Sequence, residues 1–472
     1  MEMYGRRVIT TDAVEITDGN IVNELNRAFD THNLNRGEIE YLWNYYRGQQ
    51  PILQRKKTVR PEICNKIVEN RANEIVSFKV GYLCGEPIQY VGRNGDESVS
   101  KAITELNEMM FSENKATQDK ELVEWQMICG TAYRLILPDS RGDDEDDAPF
   151  EMFTLDPRDT FVVKSSEVGN KPMYAVKYRV DNERNRICSV YSANHYWKLV
   201  GDKIVESKPH ALGMIPIFEY PANNARLGAF EIVLPMLDAI NNVASNRMDG
   251  IEQFIQSFIK FVNCDIDEAQ FKALKEMGAI KVKSVDGSTA DVSIVTQELN
   301  QMQTQTLVDY LYQTVLTICG MPSMSDGSSS DSSNNGAVIL KNGWQGAETR
   351  AKDSELMFKK SENEVLKLIL RIIRDTRGLS EDIYNLRLKN ISLQFTRRNY
   401  ENVQSKAQVL VSMLQQNKIH PRLAFEHSGL FTDPESAYQL SKEYAEEQAA
   451  KALEMVVTQN PTENDKAIEE DE

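Results

Sequence analysis

Phe230-Glu-Ile-Val-Leu-Pro235-Met-Leu-Asp-Ala-Ile240-Asn-Asn-Val-Ala-Ser245-Asn-Arg-Met-Asp-Gly250-Ile-Glu-Gln-Phe-Ile255-Gln-Ser-Phe-Ile-Lys260-Phe-Val262 is the stretch on which the reading of this chain turns. Leu237, Ile240, Ala244, Met248, Ile251, Ile255, Phe258 and Val262 fall three or four residues apart, which predicts one sustained face of an α-helix. The opposite face carries Asp238, Asn241, Asn242, Ser245, Asp249, Glu252, Gln256 and Lys260. At 1.5 Å per residue such a helix would run about 50 Å. Pro235 near its start and Gly250 in its middle count against it. A second helical stretch, about 300–318, follows a compact insert. Together they predict a helical hairpin with a knob on its tip.

The rest of the chain sets the context. Its 472 residues exceed one core, so about two to four domains are expected. No apolar run reaches the length of a membrane span, and the N-terminus lacks an apolar signal core, so synthesis and retention in a cytoplasm are expected. Cys64, Cys84, Cys129, Cys188, Cys264 and Cys319 are scattered without a C-x-x-C pair, which predicts reduced thiols and no zinc site. The formal net charge of −17 gives no bulk attraction for nucleic acid, so any handling of DNA must rest on geometry or local patches. Acid collects at 143–147 and in the last residues, both read as solvated or disordered.

In chain order, residues 1–30 are a weakly patterned lead-in, followed by helices at about 35–48 and 65–83. A strand at 88–91 and helices at 98–113 and 117–128 come next. From Gly130 the apolar period changes to two, predicting strands at 133–137, 150–155, 160–163, 173–180, 186–191, 195–200 and 203–207. The insert reads as a short helix at 267–277 and a strand hairpin of 279–284 with 290–296, turned at Asp286-Gly287. After the returning helix comes a Ser- and Gly-rich loop to about 335. A strong helix over 351–376, a β stretch over 383–395, and helices at 401–415, 420–427 and 433–457 complete the pattern.

Motifs for chemistry are missing. There is no G-x-x-x-x-G-K-[ST], no G-x-G-x-x-G after a strand, no H-E-x-x-H and no G-x-S-x-G. Asp331–Gly336 begins like a calcium loop, but position twelve is Asn342 where a bidentate Glu is needed. No catalytic, cofactor or metal residues are therefore expected. The helices at 401–445 lack a basic recognition face. Arg55-Lys56-Lys57 with Arg60 is open to two readings, a phosphate contact or an arm on an acidic neighbouring subunit.

The order of parts, more than any motif, carries a resemblance. Tyr45–Leu53 with 65–88, Ile215–Asn224 with Pro235–Asn242, and Asn334–Lys341 together resemble the siphophage-type (Gp6-like) portal proteins of tailed bacteriophages, over most of residues 40–400. The resemblance implies an α+β portal fold. Its β-rich wing would be 1–228 with the helix 351–377, its stem 229–262 and 300–319, and its clip 263–299. A Ser/Gly-rich segment and tunnel loop would occupy 320–350, the crown 378–457 and an acidic tail 458–472. It also implies a ring of about twelve subunits at one capsid vertex of the virion, passing double-stranded DNA without sequence specificity. Its partners would be terminase, scaffold, major capsid and head-completion proteins, with no membrane and no enzymatic activity.

On that basis Lys341, Asn342, Trp344, Glu348 and Arg350 are expected on a DNA-facing tunnel loop pivoting at Gly343 and Gly346. Packing between subunits is an equal reading of Trp344. Asp238, Asn242, Asp249 and Glu252 are expected on the channel face of the stem, or against the next subunit. A nucleic-acid-processing enzyme or adaptor is the alternative, and it needs an acidic metal cluster or a nucleotide loop.

Overall fold

Ile21, Leu25, Ala28 and Phe29 recur at helical spacing inside the expected lead-in, and all four are buried. At about 2 kcal/mol for a fully buried aliphatic or aromatic side chain, such a stripe is enough to hold a helix there. The lead-in is accordingly structured, with strand β1 (Ile9–Thr11) and a helix α1 (Ile21–Tyr46) that begins well before residue 35. The computed structural model describes residues 5–93, 97–139, 148–255, 258–262, 264–265, 269, 283–284, 291–295, 301–322, 343–397, 403–416, 418–431 and 434–459. The architecture is α+β, and the chain divides into two units.

The first unit comprises Met1–Leu42, Val76–Glu231 and Met324–Glu472. After α1 come α2 (Arg71–Cys84), β2 (Gln89–Gly92), α3 (Glu97–Ser112) and α4 (Lys115–Cys129). Then follow β3 (Thr131–Pro138), β4 (Phe150–Leu155), β5 (Thr160–Ser165), β6 (Pro172–Val180), β7 (Arg186–Tyr191), β8 (His195–Val200), β9 (Lys203–Pro209) and β10 (Ile217–Pro221). The seven strands expected from the period-two pattern are present as β3 to β9, while β10 was not among them. Six strands form one sheet in the order β1-β5-β6-β7-β8-β9, and three form another in the order β10-β3-β4. One face of the larger sheet, with Tyr174, Val176, Cys188, Val190, Trp197 and Leu199, buries the α1 stripe. On its other face Val162, Ala175 and Tyr191 meet Tyr133, Leu155 and Ile217 of the smaller sheet region.

The second unit comprises Trp43–Ile75 and Ile232–Ser323. It holds α5 (Leu234–Ile255), then β11 (Phe258–Val262), β12 (Cys264–Asp265), β13 (Lys283–Ser284), β14 (Asp291–Val295) and α6 (Gln301–Cys319). Pro235 occupies the second helical position, where a missing N–H breaks no helical bond, so the proline starts α5 without kinking it. The long helix is shorter than its pattern implied. Phe258–Val262, rich in aromatic and β-branched residues, pairs antiparallel with Asp291–Val295. The insert's strands also pair differently: β14 takes β11 and β13 takes β12, in place of a hairpin between 279–284 and 290–296. The helix expected at 267–277 lies outside the described residues apart from residue 269.

The remaining elements return to the first unit. They are α7 (Trp344–Asp375), α8 (Glu381–Asn385), β15 (Ile391–Gln394), α9 (Val403–Leu414), α10 (Pro421–Ser428) and α11 (Pro434–Gln459). Two expectations are corrected here. Residues 344–350, read as loop, are the first turns of the 32-residue α7. The β stretch expected over 383–395 is a short helix, a 3-10 turn and only a four-residue strand pairing with β2. Ser380 caps that helix by accepting the Ile383 amide. The helix expected from 65 starts at Arg71, and the residues before it serve the contacts described next.

Candidate functional site

Asn241, Ser245 and Asp249 stand one helical turn apart on α5, and all three are buried. Asn241 Oδ1 accepts the Glu69 amide at 2.8 Å, Ser245 Oγ the Ile67 amide at 2.9 Å and Asp249 Oδ1 the Asn65 amide at 2.7 Å. Four helical residues advance about 6 Å and two residues of extended chain about 6.6 Å. The helix thus offers acceptors at the repeat of alternate amides, and segment 65–69 lies along it as a strap running the opposite way. Asp249 does more than its neighbours. It also receives Asn65 Nδ2, Lys57 Nζ and Arg55, each at 3.0 Å. Burial alone would raise its carboxyl. The Asn65 amide, Lys57 and Arg55 outweigh that and hold it below its ordinary value.

Arg55 and Lys57 of the basic cluster are therefore engaged within their own unit. Arg55 also donates to the Asn65 carbonyl at 3.0 Å. Asp238, higher on α5, is half-buried and accepts the Tyr45 hydroxyl at 2.9 Å, with burial raising its carboxyl. Asn242 is exposed and Glu252 partly exposed. Of the four residues expected on one open face, Asp249 faces inward because the strap's amides and two cations claim it. The missed neighbours Asn241 and Ser245 share that role. Their four-residue spacing was visible in the sequence, but their amide partners lie more than 170 positions away.

The two long helices of this unit pack on each other, and Leu237 and Ile240 of α5 and Val315, Leu316 and Cys319 of α6 are buried. Arg247 bonds Gln305 at 2.5 Å across them. The apolar stripe then runs out into solvent. Met248 and Ile251 on α5, and Met302, Leu307 and Tyr310 on α6, are exposed, Met302 by 81% and Tyr310 by 66%. On α6, Tyr312 donates to Glu74 at 2.5 Å beneath the Arg71 guanidinium, and burial pushes its phenol up to about 12.

In the first unit, the expected tunnel-loop residues divide. Lys341 and Asn342 lie outside the described residues. Trp344 sits against Phe78 and Tyr82, with ring centroids 6.1 and 6.0 Å away. Glu348 accepts the Tyr82 hydroxyl at 2.9 Å and Arg397 at 2.9 Å, and Arg397 also holds Glu355. Arg350 is exposed. The first turns of α7, whose N-cap Gly343 offers no side chain, are thus pinned by aromatic packing and an ion cluster.

A buried ionic centre ties this unit together and was not legible beforehand. Glu362 of α7 takes Arg134 of β3 at 3.1 Å and Lys115 of α4 at 3.4 Å, and accepts the hydroxyls of Tyr90 and Tyr220. Asp119 pairs with the same two cations. Burial alone would raise the Glu362 carboxyl. The charges of Lys115 and Arg134 and the two hydroxyls hold it well below the usual range. Two anions facing two cations, with tyrosine donors, make a charge-balanced structural network. Among the described residues, no group of His, Cys, Asp and Glu is arranged to hold a metal ion, and no helix is long and apolar enough to cross a membrane.

Compared with curated proteins, the chain finds no match. Against family models it matches the one described as Phage portal protein, SPP1 Gp6-like, over residues 25–452. That span takes in both units, with the hairpin, its insert and the strap. The chain belongs to the SPP1 Gp6-like family of phage portal proteins.

Proposed function

We propose that this chain is the repeating subunit of a ring at one vertex of a tailed phage or prophage capsid, through which double-stranded DNA enters during packaging and leaves at ejection. Portal proteins are structural rather than catalytic. The observation that carries the reading is the α5–α6 hairpin, whose apolar stripe is left open at Met248, Ile251, Leu307 and Tyr310 in a protein of that family. Exposed apolar residues on two different helices suit a heterologous contact, in which one flank of a subunit meets a different flank of the next. Such contacts form a ring when the rotation from one subunit to the next closes.

In this reading α5 and α6 form the stem, and the insert between them forms the clip that meets terminase and head-completion proteins. The β-rich first unit forms the wing, and α9 to α11 form the crown. Scaffold and major capsid proteins meet the outside of the ring. Asn242 and Glu252 are the channel-facing candidates on the stem that remain open, with Arg350 beside the tunnel-loop segment 341–343. A net charge of −17 suits a passage for a polyanion, because strong phosphate contacts would stall it.

Sedimentation or light scattering on concentrated protein tests the reading. A closed species near twelve times 53.7 kDa is expected, about twelve being the copy number the family resemblance implies. A persistent monomer that hydrolyses nucleotide or cuts DNA would overturn it.

A further inference from the structure

Across β6 to β9, the strand register lines up the side chains on the face opposite the α1 core. One row runs Arg179, Ile187, Val200, Lys203, and the next Lys177, Ser189, Lys198, Glu206. The smaller sheet region covers this face at Val162, Ala175 and Tyr191, which are members of the second apolar cluster. Neither row is part of that cluster. Ile187 and Val200 remain half-buried, flanked by cations, and Arg179 and Lys203 are exposed.

The charge here runs against the rest of the molecule. Residues 171–208 hold eight Lys and Arg and four Asp and Glu, a net of +4 in a chain of −17. Lys177 pairs with Asp159 and Lys208 with Glu206. Arg179, Lys198 and Lys203 form no ion pair among the described residues. Lysines on an edge strand commonly guard against unwanted strand addition, which accounts for Lys203 on β9. It does not account for Arg179 and Lys198, which lie on the interior strands β6 and β8.

We propose that this open face of the six-stranded sheet docks an acidic protein segment, with aliphatic side chains seated on Ile187 and Val200 and carboxylates on Arg179, Lys198 and Lys203. Charge complementarity selects the partner. Glu206 within the face, and an aliphatic rather than exposed aromatic centre, disfavour a nucleic-acid platform. The proposal does not rest on the subunit ring.

The test uses the full chain and a fluorescent peptide of about 20 residues built from Glu and Leu at helical spacing, read by anisotropy at about 0.15 M salt. Binding that weakens about tenfold in R179E/K198E, at an unchanged melting temperature, is the expected result. A peptide with Gln in place of Glu is expected not to bind. The proposal fails if the acidic peptide does not bind. It also fails if the double variant binds it equally, or if a duplex DNA of similar charge binds this face more tightly than the peptide does.

Discussion

Glu362 is the residue whose chemistry most constrains the first unit. Its carboxylate is fully buried and faces Arg134 and Lys115, which are also buried. Replacing it by glutamine keeps the shape and leaves two cations against Asp119 alone. Breaking a buried pair in this way costs about 3–5 kcal/mol, so the urea midpoint of Glu362→Gln should fall steeply. His32 gives a second test. Its ring is stacked 4.4 Å from Phe161 and lies 3.2 Å from the Tyr178 hydroxyl. Burial lowers its pKa to about 4 from an ordinary 6.5. The unfolded chain therefore takes up the proton first. The stability due to neutral His32 is complete above about pH 6.5 and drains as pH falls toward 4. Glu219, held at about 2 by Arg226 and Lys164 against its burial, adds a loss at lower pH, from about 4.5 downward. Melting temperatures across pH should thus fall in two stages, and His32→Phe should flatten the upper one.

At the scale of elements, the strap along α5 makes a sharp expectation. Asp249→Asn retains an acceptor for the Asn65 amide and loses the charge that Arg55 and Lys57 neutralise. A cost of about 2 kcal/mol should appear as faster amide exchange at 65–69, with α1 and the sheet of the first unit unchanged. Exchange that stays slow there would show that the charge does not hold the strap. This contact also marks where the sequence stopped being legible. Strands such as 186–191 and 195–200 were readable because alternate residues (Cys188, Val190, Trp197, Leu199) are buried on one face. Phe258–Val262 fits a helical period and a strand equally, and pairing with Asp291–Val295 decides it. The first turns of α7 looked like loop because Gly343 and Gly346 lie there. Distant partners, Tyr82 and Arg397, hold them helical. The inward turn of Asp249 was hidden for the same reason. A polar helical face says nothing about which distant amides will claim it.

For the whole molecule, family membership and the open apolar stripe of the hairpin are what support the proposed closed ring of subunits. Ile251, exposed on α5, is a direct handle on it. Ile251→Glu places a charge on the proposed contact, at a side chain 36% exposed in the isolated subunit. The subunit should melt as before, while the large species is lost from sedimentation profiles. An unchanged large species in this variant would move the contact elsewhere. The most direct measurement is electron microscopy of the concentrated protein. Closed rings with a central hole, and with the α5–α6 hairpins around it, are the expected result. Monomers or two-fold dimers at every concentration, with the hairpins turned away from any shared axis, would contradict the portal reading.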